Sequence, residues 1–314
     1  MIKYFFLVIV FLFISNIQIY SQACCTVGTS ISNGGERSAI PVDKLSTAFT
    51  FQHNVLNTAY QSSTEIQDPL NRRSTVTNFN LEIEYGLVEK VSILLILPYS
   101  NRSRETTITN TETNGTEVIN FTGNGFGDIV ILGKYEVITP SILSPFGLAL
   151  GGGAKLPTGS FEEENNGTRL SIDLQPGTGA TDLLLWGHTL YAFPSLSLSF
   201  NANFLYRYSG VNLDGYRYGD EFLASLNGTY AIADFLAINL QLKGRIADKD
   251  YWNERFLPST GGTYIDLTPS IIYYEGSFSL RVFSLVPLYR DLNGIQLAVT
   301  EMLGTEISYN FNLK

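Results

Sequence analysis

The chain has 314 residues, 44% hydrophobic and only 16% charged, with 18 Tyr and 20 Phe but 2 Cys and 2 His. Its charged share lies well below the roughly 25% of soluble domains, and a net charge of −9 argues against a nucleic-acid partner. Past the N-terminus no apolar run reaches the roughly 18 residues of a membrane helix, so the apolar residues must sit on strands.

The N-terminus reads as an export signal. Lys3 supplies the positive flank, and residues 4–14 form an apolar run of signal-core length, too short to span a bilayer. Ser21 and Ala23 put small residues where a signal peptidase reads, so residues 1–23 are expected to be removed before Cys24. The competing reading is a lipoprotein acylated at Cys24, against which Ser21 stands where such signals carry Leu. Adjacent Cys24 and Cys25 are too constrained for an easy mutual bridge. No His or carboxylate lies at ligand spacing, so neither a metal nor another cofactor is expected. Residues 24–44 are polar and Gly/Ser-rich, a lead-in that is either periplasmic or tucked into a lumen.

Residues 45–314 alternate apolar and polar side chains in a series of strands predicted at 45–56, 76–86, 90–99, 126–138, 145–157, 179–192, 195–208, 220–231, 235–248, 262–274, 277–290 and 295–313. Leu198, Phe200, Phe204, Tyr206 and Tyr208 share one face of the seventh, and Ser199, Asn201, Asn203 and Arg207 the other. Near the C-terminus, Glu301 falls among the outward residues Leu297, Val299 and Leu303, where a β-bulge would re-aim it. Connections alternate long and short, the longest a Thr/Asn-rich loop at 100–125. An apolar lipid face, a polar lumen, short periplasmic turns, long extracellular loops and an even strand number define the outer-membrane barrel. The expected fold is therefore all-β, a transmembrane antiparallel β-barrel of about twelve strands. It would be exported to the bacterial outer membrane, surrounded by lipid and inserted by the barrel-assembly machinery. Tyr85, Tyr99, Tyr135, Tyr191, Tyr206, Tyr208 and Tyr230 fall near strand ends, as interfacial girdles require.

The same phase sends Glu82, Glu84, Asp128, Lys134, Glu136, Lys155, Asp182, Arg207, Lys243, Arg245, Asp266 and Arg281 inward. Charges of both signs in a narrow lumen should pair across it. Leu132, Trp186 and Phe283 also point inward, unlike the polar lining of a water-filled porin, and could form a route or pocket for an apolar molecule. A plugged, filled barrel is the alternative. No catalytic residue is assigned: neither His53 nor His188 has a serine placed beside it as a nucleophile requires. Gly123-Asn124-Gly125-Phe126-Gly127 precedes a strand rather than a helix, which excludes a dinucleotide loop.

Three segments carry a resemblance: Gly127-Asp128-Ile129 with Gly133-Lys134-Tyr135, then Lys155-Leu156-Pro157-Thr158-Gly159, then Gly177-Thr178-Gly179-Ala180-Thr181-Asp182. In these, and in their order and spacing, the chain resembles the outer-membrane transporter family named for the meta-cleavage pathway of phenol degradation. The resemblance implies an exported barrel that helps small apolar or aromatic compounds cross the outer membrane passively. Asp128, Lys134, Lys155 and Asp182 are expected to form one ion network near the outer mouth. A non-transporting structural or surface-binding barrel with a filled lumen is the second reading.

Overall fold

The computed structural model describes residues 37–110, 115–141, 143–165 and 167–313. The expected signal peptide, the cysteine pair and the first part of the lead-in lie outside them. Twelve strands form the wall: β1 (Lys44–Leu56), β2 (Arg73–Val88), β3 (Val91–Asn110), β4 (Val130–Ile138), β5 (Phe146–Lys155), β6 (Asp182–Phe193), β7 (Leu198–Tyr208), β8 (Glu221–Ala233), β9 (Leu236–Ala247), β10 (Gly262–Glu275), β11 (Phe278–Ala298) and β12 (Glu301–Asn312). Each pairs antiparallel with the next. Pairing of β1 with β12, from Lys44 with Asn312 to Val55 with Glu301, closes the barrel and leaves no free edge.

Alternation along the strands decides the two faces. In β1, Ser46, Ala48, Thr50, Gln52 and Asn54 are buried inside, while Phe49 faces out. The outward surface is apolar, including Leu185, Phe200, Leu240 and Ile271. Aromatic pairs sit near both ends: Tyr191–Phe193 and Tyr309–Phe311 at the short-turn end, Tyr99–Phe126 at the long-loop end. Two glycines on the outward face, Gly187 and Gly228, are covered by a neighbour's ring. Gly187 lies directly opposite Phe204, whose ring fills the space a Cβ would need.

Three expectations are corrected. The Thr/Asn-rich stretch is not all loop: β3 runs on to Asn110 and pairs with Gly115–Phe126 in a hairpin that continues the wall outward. Thr suits strands well, and beyond the bilayer both faces of a strand can be polar. At the other correction, β11 continues to Ala298 and β12 begins at Glu301. Asn293-Gly294 reads as a hairpin turn, but it makes a bulge at which the register of β11 against Thr58–Ser62 shifts. Finally, Leu297 does not face lipid. It is fully buried with Leu56, Ala59 and Val76, and Glu301 is exposed at the start of an unbroken ladder with no bulge.

Candidate functional site

Beneath the long loops, inward ionic side chains from successive strands alternate in sign. Asp128, just before β4, and Asp182 on β6 both hold the Lys155 ammonium of β5, at 2.9 and 3.1 Å. Arg207 on β7 lies 3.8 Å from Asp182 and 3.2 Å from Glu221 of β8, which also takes Arg245 from β9. Arg245 then stacks on Tyr264 of β10, whose ring also meets Arg290 of β11, and Arg290 pairs with Asp266. Lys155, Asp182, Arg207 and Glu221 are all nearly fully buried, so each charge depends on its neighbours. Asp128 is further satisfied by backbone N–H groups of Gly159 and Thr178 at 3.0 and 2.9 Å, which ties the loop between β5 and β6 into the mouth.

Other loops fold in over this ladder. Arg102 donates to the Asp173 carbonyl at 2.9 Å, and Tyr218 donates to the Ile172 carbonyl at 3.2 Å. Asp250, in the loop after β9, accepts from the Tyr216 hydroxyl and from Gly219 N–H. Burial pushes the Asp250 carboxyl above its usual range despite those donors, and it pushes the Tyr216 hydroxyl far up.

Below the ladder the lumen divides. One wall is apolar and packed, from Leu94 and Ile96 through Val130, Leu132, Ala149, Leu184 and Trp186 to Leu205 and Leu223. Towards the short-turn end a cavity of about 330 Å³ opens, lined largely by polar groups such as Asn201, Asn227, Thr229, Asn239 and Ser308 together with Glu82, Arg281 and Glu306. The lead-in borders it on one side. Arg37 pairs with Glu306, its carbonyl accepts from Lys134 at 3.0 Å, and Ile40 lines the cavity.

One hydrogen-bond ladder beside this cavity is interrupted. The ladder of β10 with β11 pairs Leu267 with Val286 and Ser270 with Phe283, skipping Thr268 and Pro269 between them. Proline has no N–H to donate to a ladder. A groove of about 560 Å³ lies there, lined by outward Leu240, Ile271 and Leu303 and reaching Asn239, Ser270 and Phe283 of the inner face. Asn239 borders both groove and cavity.

The structure thus brings Asp128, Lys155, Asp182, Arg207 and Arg245 together but not Lys134. Lys134 sits four residues along β4 from Val130, the partner of Lys155, and is buried against Glu84 at 3.0 Å with its ammonium 4.9 Å from the Trp186 ring. Lys243 stands opposite Asp266, and Arg281 donates to Ser270 at 3.2 Å and stacks on Phe283. Leu132 and Trp186 belong to the packed wall, whereas Phe283 stands apart over Gly304. His188 stacks on Trp186 and bonds Asn203 at 2.6 Å; His53 faces out beside Thr77 at 2.9 Å. Glu221, Arg290, Glu306 and Arg37 were not among the sequence candidates. Inward phase alone would have offered Glu221 and Glu306, whereas the place of Arg37 depends on how the lead-in folds. Among the described residues no cluster of three or more His, Cys, Asp or Glu could hold a metal.

The sequence model of the family described as "Putative MetA-pathway of phenol degradation" matches residues 70–250. The chain belongs to this family. The phenol-degradation family match covers β2 to β9 with the ion ladder from Asp128 to Arg245, while Arg37, Pro269 and Glu306 lie outside it. No curated protein matches the sequence. Among solved structures, an outer-membrane channel from Pseudomonas putida F1 is similar with a TM-score of 0.65 at 12% identity, over 91% of this chain and 100% of that one. That likeness shows a shared β-barrel fold. A monoaromatic hydrocarbon channel, CymD, matches with a TM-score of 0.44 at 10% identity over 92% of this chain and 94% of that one. A FadL homologue of Pseudomonas aeruginosa matches at 0.43 and 7% identity, over 87% and 91%.

Proposed function

We propose that the protein is a passive channel of the bacterial outer membrane, non-catalytic, for one small apolar or aromatic solute at a time. The observation that carries this reading is the internal cavity of about 330 Å³, separated from a lipid-facing groove by Asn239. An apolar cavity of about 150 Å³ already holds benzene, so the space suits a ring with a polar substituent. Loops fold over the ion ladder on one side of the cavity, and Arg37 and Ile40 line it on the other. An apolar solute dissolved in the bilayer would enter past the interrupted ladder at Pro269.

Gly228 lines the groove, and a Cβ there would meet only the edge of the Phe200 ring at 3.2 Å. Gly228→Trp is expected to fill the groove and slow entry of a monoaromatic solute into proteoliposomes at least tenfold, with heat-modifiable gel mobility unchanged. Unchanged entry with a folded barrel would remove the wall route. The packed apolar wall supports the second reading, a sealed structural barrel, which predicts no solute entry even in the unsubstituted protein.

A further inference from the structure

On its β7–β8 side the cavity is lined by amides that are only partly used. A relay of side chains leads in from the packed wall. His188 bonds the Asn203 oxygen at 2.6 Å, and the Asn203 amide nitrogen donates to the Asn201 oxygen and to the Ser225 hydroxyl, both at 3.2 Å. Asn227 stands directly opposite Asn201 in the ladder of β7 with β8. It donates to the same Asn201 oxygen at 2.8 Å and to Ser225 at 3.4 Å. These bonds fix which end of each amide is left over. The Asn201 oxygen is taken twice, so Asn201 keeps its Nδ2 donor; both N–H groups of Asn227 are spent, so Asn227 keeps its Oδ1 acceptor. Neither atom has a partner among the described residues, and both residues line the cavity. Asn227 is only 3% exposed, and a buried acceptor without a donor carries its full desolvation cost. The polar groups beside them satisfy one another instead: Asn239 donates to the Thr229 hydroxyl at 2.9 Å and accepts from Ser270 at 3.2 Å.

We propose that Asn201 and Asn227 form a recognition site for the neutral carboxamide head of a small aromatic solute. A primary carboxamide presents a carbonyl and an N–H side by side in one plane. Its oxygen accepts from Asn201 Nδ2, and its N–H donates to Asn227 Oδ1. An amide reads such a paired donor–acceptor edge well, as Asn and Gln do on adenine. A carboxylate or a ketone has no hydrogen to give Asn227 and leaves its oxygen unpaired. The ring attached to the head would extend towards Leu94 and Ile272, which also line the cavity. This rests on the channel reading, because it names the head group of the solute held in that cavity, but binding is read at equilibrium and does not require the solute to cross.

The test is calorimetric titration of the detergent-solubilised full chain with benzamide, acetophenone and benzoate. Acetophenone keeps the shape and the carbonyl but carries a methyl group in place of the amide nitrogen. Benzamide should bind at least tenfold more tightly than either, since a site built to hydrogen-bond an N–H rejects the analogue that lacks it. Asn227→Leu, similar in volume, should abolish the preference for benzamide over acetophenone. Equal affinity for benzamide and acetophenone, a preference that survives Asn227→Leu, benzoate binding as tightly as benzamide, or no binding of any of the three would each overturn the proposal. Entry of benzamide into proteoliposomes is measured separately. Entry without the preference removes the amide site and leaves the channel; the preference without entry removes the channel and leaves the site. Heat-modifiable mobility confirms folding; if Asn227→Leu does not fold, the benzamide-to-acetophenone ratio on the unsubstituted protein decides.

Discussion

Lys155 shows what a single residue contributes to this barrel. Its ammonium is almost wholly buried and joins two carboxylates, the Thr178 hydroxyl and the Ala180 carbonyl. Lys155→Met keeps the aliphatic bulk and leaves Asp128 and Asp182 without their shared cation. Breaking a buried ion pair costs about 3–5 kcal/mol, so the midpoint of urea unfolding in detergent should fall by that equivalent. Adding Asp128→Asn and Asp182→Asn should recover part of the loss, and solute entry per folded molecule should stay unchanged. Altered entry at full stability would instead make Lys155 part of the route. Sequence phase was enough to send Lys155, Asp182, Arg207 and Arg245 inward, because a period of two allows no other face. It could not pair them. Partner choice depends on strand stagger, and that is why Lys134 was grouped with Asp128 although β4 carries it down to Glu84.

At the scale of the element, the glycines of β5 let β4 come close. A Cβ on Gly153 would run into the Ile131 carbonyl oxygen and lie 2.8 Å from the Leu132 Cα, whereas on outward Gly133 it would find only the Gly152 oxygen, at 3.7 Å. Gly153→Ala must therefore push β4 and β5 apart, and overpacking of this kind costs about 1–3 kcal/mol. A lower folded fraction is expected for Gly153→Ala than for Gly133→Ala when both are refolded into detergent and resolved by gel mobility. Equal yields would show that the close approach is not needed. Strand number and order were readable from alternation and from the long–short rhythm of connections. The end of β11 was not, because Asn293-Gly294 has hairpin chemistry. Gly294 does take a left-handed φ of 61°, but the chain after it pairs with Thr58–Ser62 instead of returning along β12. Local turn propensity lost there to a neighbouring segment that no window around Gly294 contains.

For the molecule as a whole, closure was legible and the state of its two mouths was not. An even number of strands returns both chain ends to the short-turn side whatever the loops do, but whether a polar lead-in stays outside or enters is decided by partners far away in sequence. Arg37 meets Glu306 and Lys134, and the Lys44 N–H donates to the Pro41 carbonyl at 3.3 Å, turning the lead-in back under β1. Arg37 is half-exposed in its pair with Glu306, and exposed pairs contribute only about 0–1 kcal/mol each, so that pair holds the lead-in less firmly than the buried ion ladder holds the loops. The lead-in is then the stopper that yields first. Deleting residues 24–40 leaves every wall strand intact and should raise single-channel conductance in planar bilayers at least severalfold, with swelling of liposomes in a small sugar rising in parallel. The ladder should still limit the current from above, so Glu221→Gln in the truncated barrel should raise it again by loosening Arg207 and Arg245. A truncated barrel that conducts no better than the full chain would mean that the loops and the packed apolar wall alone seal the lumen, and that the lead-in only lines a closed chamber.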